Sequence, residues 1–188
     1  MNGRLQRGFS LLELLVTLFV VVLVTSLVTL NIGVGDRDVL MRSAVQSLAD
    51  SANYALDEAQ FTGMNYGLML HREDDGGQWR YRYDWWEQTA VGWLAPASGK
   101  DVFTPGELPL GLELQLELDG LVQEEELLVR SSEGPEPQIL LYASGETVPG
   151  AIELRSSEDG ELLWRIEWNL LGDFQALPRG EAFAEEPQ

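Results

Sequence analysis

One apolar segment near the N-terminus constrains this chain more than any other feature. From Phe9 to Leu30 the segment is about 22 residues long, and from Leu14 onward only threonines and one serine interrupt it. Their hydroxyl groups can donate back to helix carbonyls, so they do not prevent burial in lipid. As a helix rising 1.5 Å per residue, 22 residues cross a hydrocarbon core of roughly 30 Å. Residues 9–30 are therefore predicted to form a transmembrane helix.

The segment contains one charged residue, Glu13, about one turn from its start. A carboxylate inside a membrane span costs on the order of 2.5 kcal/mol or more unless a partner compensates it. We therefore expect Glu13 to have a specific role that outweighs this cost.

Three interpretations of the segment are open. A cleaved secretory signal combines a basic start, an apolar core and a small-residue site, for which Val24-Thr25-Ser26 would serve, but an early carboxylate is unusual in such a core. A plain single-span anchor would leave Glu13 near the headgroups without a role. The third interpretation rests on a short motif at the start of the segment.

That motif is Gly8-Phe9-Ser10-Leu11-Leu12-Glu13, in which Gly, Phe and Glu stand at fixed spacing before an apolar run. It resembles the cleavage and methylation motif of type IV pilins and type II secretion pseudopilins. The resemblance implies that residues 1–8 are a leader, which a prepilin peptidase removes by cutting between Gly8 and Phe9. It also implies N-methylation of Phe9 and retention of Glu13 as a residue for assembly.

Charge supports an orientation and excludes one class of partner. The net charge is −19, and all 31 acidic residues but only 10 of the 12 basic ones follow Gly8, so the remaining chain carries −21. Such a chain is repelled by phosphate backbones, and we expect no nucleic-acid partner. Arg4 and Arg7 precede the span, so the positive-inside rule predicts a cytoplasmic N-terminus and the bulk of the chain on the other side of the membrane. The resemblance implies that this side is the periplasm. The absence of cysteine excludes disulfides, thiol nucleophiles and thiolate zinc sites.

Beyond the span, apolar residues at 41, 45, 48, 52, 55 and 59 follow the spacing of one helix face. They predict a helix over 39–61, within a periplasmic continuation of the first helix over 31–62. Residues 63–177 read as a β-rich periplasmic domain, and 178–188 as an acidic flexible tail. The predicted strands are 66–71, 78–84, 91–94, 112–118, 127–130, 138–142, 151–155, 162–168 and 174–177.

The expected fold class is therefore α+β and pilin-like, with a long N-terminal transmembrane and amphipathic helix packed on antiparallel β-sheets. Strand 138–142, its Ser144-Gly145 turn, the later strands and Gly172 resemble the GspH/FimT group of minor pseudopilins and minor pilins. This resemblance covers residues 7–65 and 138–177, while 72–137 do not align with the group.

The group implies a non-enzymatic, structural subunit of the bacterial inner membrane. It would lie near the tip of the periplasmic pseudopilus and link a tip complex of other minor pseudopilins to the shaft of major pseudopilin. Two alternatives stay open. One is a minor type IV pilin, although the DNA-binding branch of those uses a basic surface. The other is an unrelated membrane-anchored, β-rich binding domain.

Other candidate residues are few. Trp85 and Trp86 are adjacent and cannot both face inward on one strand, so we expect one of them to contact a partner. We expect Trp79, Trp164 and Trp168 in the core. His71 is the single histidine, which leaves no set of residues for a histidine-rich metal site, and Asp74-Asp75 reads as a hairpin turn rather than a calcium site. We expect no catalytic residues, no metal and no cofactor.

Overall fold

The computed structural model describes residues 11–97, 99–123, 128 and 134–181, except for the side chains of 26–37. Several predicted features lie outside the described residues. They are the leader with Gly8, the following Phe9, most of the predicted strand 127–130, and tail residues 182–188. The predicted span, 9–30, is described only in part. Among the residues so described, no helix combines the length and the hydropathy that a membrane span needs.

One helix, α1, begins at Leu11 and ends at Thr62, and it contains both predicted helical segments beyond residue 30. The chain divides into two units, residues 1–40 and 41–188. In the first unit every described side chain is exposed, and the large apolar ones between Leu11 and Val24 are 46–82 % accessible. Thr17 and Thr25 donate to helix carbonyls four residues earlier, each over 2.8 Å, as their hydroxyls were expected to do.

In the second unit, α1 buries the face that the sequence spacing predicts. Its buried apolar residues are Met41, Val45, Leu48, Ala49, Ala52, Ala55, Leu56 and Ala59. Alanine at the later positions lets the backbone of the helix come close to its neighbours. The helix ends where Gly63 takes a left-handed conformation, with φ of 70°, and donates to the carbonyl of Ala59.

Ten strands follow the helix. Their bounds are β1 (Tyr66–Asp75), β2 (Gln78–Thr89), β3 (Gly92–Leu94), β4 (Gly106–Glu107), β5 (Leu112–Leu118), β6 (Leu121–Val122), β7 (Ile139–Leu141), β8 (Gly150–Ser156), β9 (Leu162–Trp168) and β10 (Gln175–Pro178). A short 3₁₀ helix, Asp101–Phe103, lies between β3 and β4.

The strands form two antiparallel sheets. The first sheet has the order β3-β2-β1-β7, with β4 also pairing with β2, and the second has the order β10-β9-β8-β5-β6. Both sheets and the buried face of α1 contribute to one hydrophobic core. In the second sheet, strand β5 alternates between buried and exposed side chains, because Leu112, Leu114 and Leu116 are buried while Glu113 and Gln115 are exposed. The expected α+β class with antiparallel sheets is confirmed.

Most strand predictions agree with the structure, and β5 and β9 agree to the residue. Pro178 was expected to begin the tail, but it belongs to β10, where it pairs with Trp164. The expectation that Trp79 lies in the core is wrong, since its side chain is 44 % exposed. Trp79 stands one pair from the end of the β1–β2 hairpin, and its ring stacks against the Arg72 guanidinium at 4.3 Å instead.

Candidate functional site

Glu13 lies in the first turn of α1, among exposed apolar side chains. Its backbone carbonyl accepts the Thr17 hydroxyl, and Leu12 and Leu14 beside it are mostly accessible. A helix that is apolar around its whole circumference and fully exposed needs a covering of lipid or of other helices. One carboxylate on such a surface is a distinctive chemical feature, because any cation that meets it in a low dielectric is attracted strongly.

Farther along α1, a side-chain amide holds the C-terminal part of the chain. Asn53 donates from Nδ2 to the carbonyl of Phe174 and accepts from the Phe174 amide at Oδ1, both over 2.9 Å. Nearby, Gly172 lies so close to Leu56 that a β-carbon at residue 172 would stand 2.3 Å from Leu56 Cδ2. The segment before β10 is therefore fixed directly to α1.

A second attachment comes from the middle of the chain. Lys100 Nζ donates to Glu58 Oε2 and to the Tyr54 hydroxyl, each over 2.7 Å. The hydrogen bond to Glu58, with that to Tyr54, raises the pKa of Lys100 well above its ordinary value. Phe103 follows in the 3₁₀ helix and stacks on Tyr66 with ring centroids 5.2 Å apart. These contacts anchor the segment between β3 and β4 onto α1 and the first sheet.

The structure separates the two adjacent tryptophans of β2. Trp85 is 2 % exposed and meets Phe103 edge to face in the core, whereas Trp86 is half-buried on the other face of the sheet. In the described part of the chain, neither indole N–H has a hydrogen-bond acceptor. Trp85 is therefore unavailable to a partner, and a contact through Trp86 stays a prediction.

The outer face of the second sheet carries a network of charges around Arg165. Its guanidinium meets Glu153 at 2.6 Å, Glu167 at 3.2 Å and Glu117 at 3.6 Å. Burial opposes ionisation of Glu153, but hydrogen bonds and charge from Arg155 and Arg165 outweigh it and hold the pKa of Glu153 below its ordinary value.

The single histidine is buried in β1. His71 Nδ1 lies 3.6 Å from Asp84 and Nε2 lies 3.9 Å from Glu73, distances longer than a hydrogen bond. Among the described residues, no group of three or more candidate ligands could hold a metal ion. Asp74 accepts from the Gly77 amide over 2.8 Å, which is the expected hairpin turn.

Sequence reasoning did not single out Asn53 or Lys100 as attachment points. Asn53 flanks the buried stripe and its partner is 121 residues away, so no local pattern could have identified the pair. Gly172 was noted only as part of a family pattern, and its contact with Leu56 explains why glycine is needed there.

Two family models match the chain. The prokaryotic N-terminal methylation motif matches residues 3–29, and the model described as type II transport protein GspH matches residues 44–172. The second match includes all of residues 72–137, for which the sequence alone gave no alignment.

Two curated relatives match along nearly their whole length. Type II secretion system protein H of Pseudomonas aeruginosa is 29 % identical over 182 residues, which cover 87 % of this chain and 97 % of the relative. The protein of the same description from Aeromonas hydrophila is 28 % identical over 187 residues, which cover 94 % and 96 %.

Solved structures share the fold. The minor pseudopilin EpsH of the Vibrio cholerae type 2 secretion system matches with a TM-score of 0.58 at 23 % identity, over 76 % of this chain and 99 % of EpsH. The solution structure of Escherichia coli GspH matches with a TM-score of 0.51 at 14 % identity, over 78 % and 94 %. At these identities the structures support the fold.

Proposed function

The chain belongs to the GspH family and is a minor pseudopilin of the type II secretion system, and from that premise we propose how its parts serve the pseudopilus. The leader, residues 1–8, is removed by prepilin peptidase between Gly8 and Phe9, and the new Phe9 amine is methylated. Residues 9–30 then hold the subunit in the inner membrane, with the N-terminus in the cytoplasm and the β-rich domain in the periplasm.

The chemistry of the described residues supports this placement. The exposed apolar surface between Leu11 and Val24 has to be covered, and lipid covers it before assembly while other subunit helices cover it afterwards. Arg4 and Arg7 precede this surface, and the chain beyond Gly8 carries −21. This asymmetry favours retention of the basic end in the cytoplasm.

The proposed assembly depends most on the carboxylate of Glu13. Processing creates a cationic amine at Phe9, and that amine also has to be compensated when it enters an apolar environment. We infer that the Glu13 carboxylate of one subunit meets the Phe9 amine of its neighbour. Because two charges attract strongly in a low dielectric and pair only in close contact, the pair would set the axial register of one helix against the next.

The proposed position in the filament rests on the resemblance to the GspH group. We propose that this subunit lies near the tip of the pseudopilus, where it joins the tip complex of other minor pseudopilins to the major pseudopilin shaft and so helps export folded proteins. Within residues 41–188, Asn53 and Glu58 of α1 bind the distant residues Phe174 and Lys100. These attachments support the role, because they hold the β-rich domain rigidly on this part of the helix. The role requires no catalysis and no cofactor.

The test replaces Glu13 with leucine in a strain that lacks the native protein. Glu13→Leu removes the charge and keeps the helix apolar, so we expect normal membrane insertion and at least a roughly tenfold loss of secretion. Asp38→Leu is the matched control, since Asp38 is another exposed carboxylate of α1 but lies beyond residue 30. Normal secretion by Glu13→Leu, or an equal loss in both variants, would contradict the proposed pairing.

A further inference from the structure

Three loops meet at one end of the second sheet. The Asp119 amide, after β5, donates to the carbonyl of Pro149, before β8, over 2.8 Å. The Thr147 amide donates to the carbonyl of Leu170, after β9, over 3.0 Å. The segments 119–123, 146–149 and 169–173 therefore adjoin one another at this end of the sheet, next to strands β5, β8 and β9.

This surface exposes large apolar side chains from β6, which lies within segment 119–123, and from the other two loops. We call it the loop face, and its apolar members are Leu121 (68 % exposed), Val122 (58 %), Val148 (38 %), Leu170 (54 %) and Leu171 (71 %). Single exposed apolar residues are ordinary, but several on adjoining loops form a patch of the kind that marks a protein interface. None of them contributes to the core, so folding alone does not require them.

The loop face is also acidic. Its loops contain Asp119, Glu146 and Asp173 and have no lysine or arginine. An open hollow of about 310 Å³ lies between these loops and strands β5, β8 and β9. Among the described residues, its lining includes the carboxylates of Glu117, Glu167 and Asp173 and one cation, Arg165. Since Arg165 already meets Glu117, Glu153 and Glu167, the hollow remains negative.

The loops are held in place before any partner arrives. The Trp168 indole donates to the carbonyl of Val148 over 2.6 Å, and its ring stacks on Phe174 at 4.8 Å. Gly172 rests on Leu56 of α1. A surface fixed in this way loses little conformational entropy when it binds.

We propose that the loop face is a docking surface for a different protein, which presents apolar side chains together with lysine or arginine. The apolar side chains would cover Leu121, Leu170 and their neighbours, while a basic side chain enters the hollow. A second copy of this chain is disfavoured, because a symmetric contact would bring each loop face against the same carboxylates on its twin. The proposal rests on the proposed function only in seeking the partner among the proteins of the same secretion apparatus.

The test uses photocrosslinking in cells that express the full chain with the rest of the apparatus. A benzophenone amino acid replaces Leu171, and separately Val122, so that two loops report independently. Val91 of the β2–β3 turn, which is 84 % exposed, is the matched apolar control. Mass spectrometry identifies the crosslinked protein and its crosslinked peptide.

We expect adducts from Leu171 and Val122 to one shared protein, through a peptide that contains apolar and basic residues. Asp173→Lys, at an exposed carboxylate in the lining of the hollow, should lower the adduct yield about fivefold. Glu158→Lys, an equal charge change in the exposed β8–β9 turn, should leave it within about twofold. The proposal is overturned by adducts to a second copy, to lipid or to an acidic peptide. It is also overturned by yields no higher than from Val91, or by equal effects of the two charge reversals. None of these results changes the expected secretion phenotype of Glu13→Leu. Failure of the docking proposal can therefore be distinguished from failure of the proposed function.

Discussion

The contact between Gly172 and Leu56 allows a quantitative test of how the C-terminal segment is attached to α1. Gly172 has a φ of 67°, and a β-carbon there would lie 2.3 Å from Leu56 Cδ2, far inside van der Waals contact. Gly160 offers a matched control, with a φ of 73° and no heavy atom within 4 Å of the point where a β-carbon would stand. The two positions therefore share the backbone strain of a substitution and differ in the clash.

Alanine in this left-handed conformation costs about 1 kcal/mol, which is the effect expected for Gly160→Ala. Overpacking against a buried side chain adds about 1–3 kcal/mol, so Gly172→Ala should lower the free energy of unfolding by about 2–4 kcal/mol. Leu56→Ala opens the space that the new methyl group needs. In that background, Gly172→Ala should cost no more than Gly160→Ala does.

Urea unfolding of the full chain in mild detergent measures these differences. All six tryptophans lie between Trp79 and Trp168, so their fluorescence reports on the β-rich domain. Equal destabilisation by Gly160→Ala and Gly172→Ala would refute the reasoning. So would an effect of Gly172→Ala that is unchanged by removal of the Leu56 side chain, because the two residues would then be uncoupled.

Two further predictions concern attachment and pH. Asn53→Ala removes both hydrogen bonds to the Phe174 backbone and should lower the free energy of unfolding by about 2–4 kcal/mol in the same urea assay. Asn53→Asp keeps the acceptor for the Phe174 amide but turns a second carboxylate oxygen toward the Phe174 carbonyl, so it should not restore the stability of the parent. An Asn53→Ala variant as stable as the parent would contradict the attachment. The pKa of Glu153 is depressed in the folded state, so its ionised form with Arg155 and Arg165 stabilises the fold above its unfolded pKa, and that contribution is lost as the pH falls through the folded pKa. Glu153→Gln should therefore be roughly 1–2 kcal/mol less stable than the parent at pH 7 and converge with it on acidification, and a difference independent of pH would exclude this origin.

Much of the fold was predictable because it depends on local periodicity. The stripe from Met41 to Ala59 and the alternation of β5 each follow from the geometry of one element and the burial of one face. Trp79 was misplaced for the same reason, since the alternation of β2 assigns it to the inner face. Alternation along a strand predicts which face of the sheet a side chain lies on, but it does not predict how far the core extends under that face. At Trp79 the core no longer covers the ring, and the side chain is 44 % exposed.

The attachments were not predictable, because they join residues far apart in sequence. Lys100 lies in a segment without periodicity, and only the folded chain brings it to Glu58, 42 residues earlier. The loop face is a further case, since the segments that follow β5 and β9 come to the same end of the sheet only when β5, β8 and β9 align. Gly8, Phe9 and Glu13 could be proposed from the sequence because their spacing along the chain is itself the motif, and the N-terminal methylation motif matches residues 3–29.

Mass spectrometry of the mature N-terminus tests the central claim most directly. The protein is isolated from the membranes of cells that contain prepilin peptidase, and its N-terminal peptide is sequenced. The account predicts a chain that begins at Phe9 and carries one methyl group on the α-amine, which leaves Glu13 five residues into the mature protein. A chain that begins at Leu27, or one that retains Met1 and the leader, would contradict it.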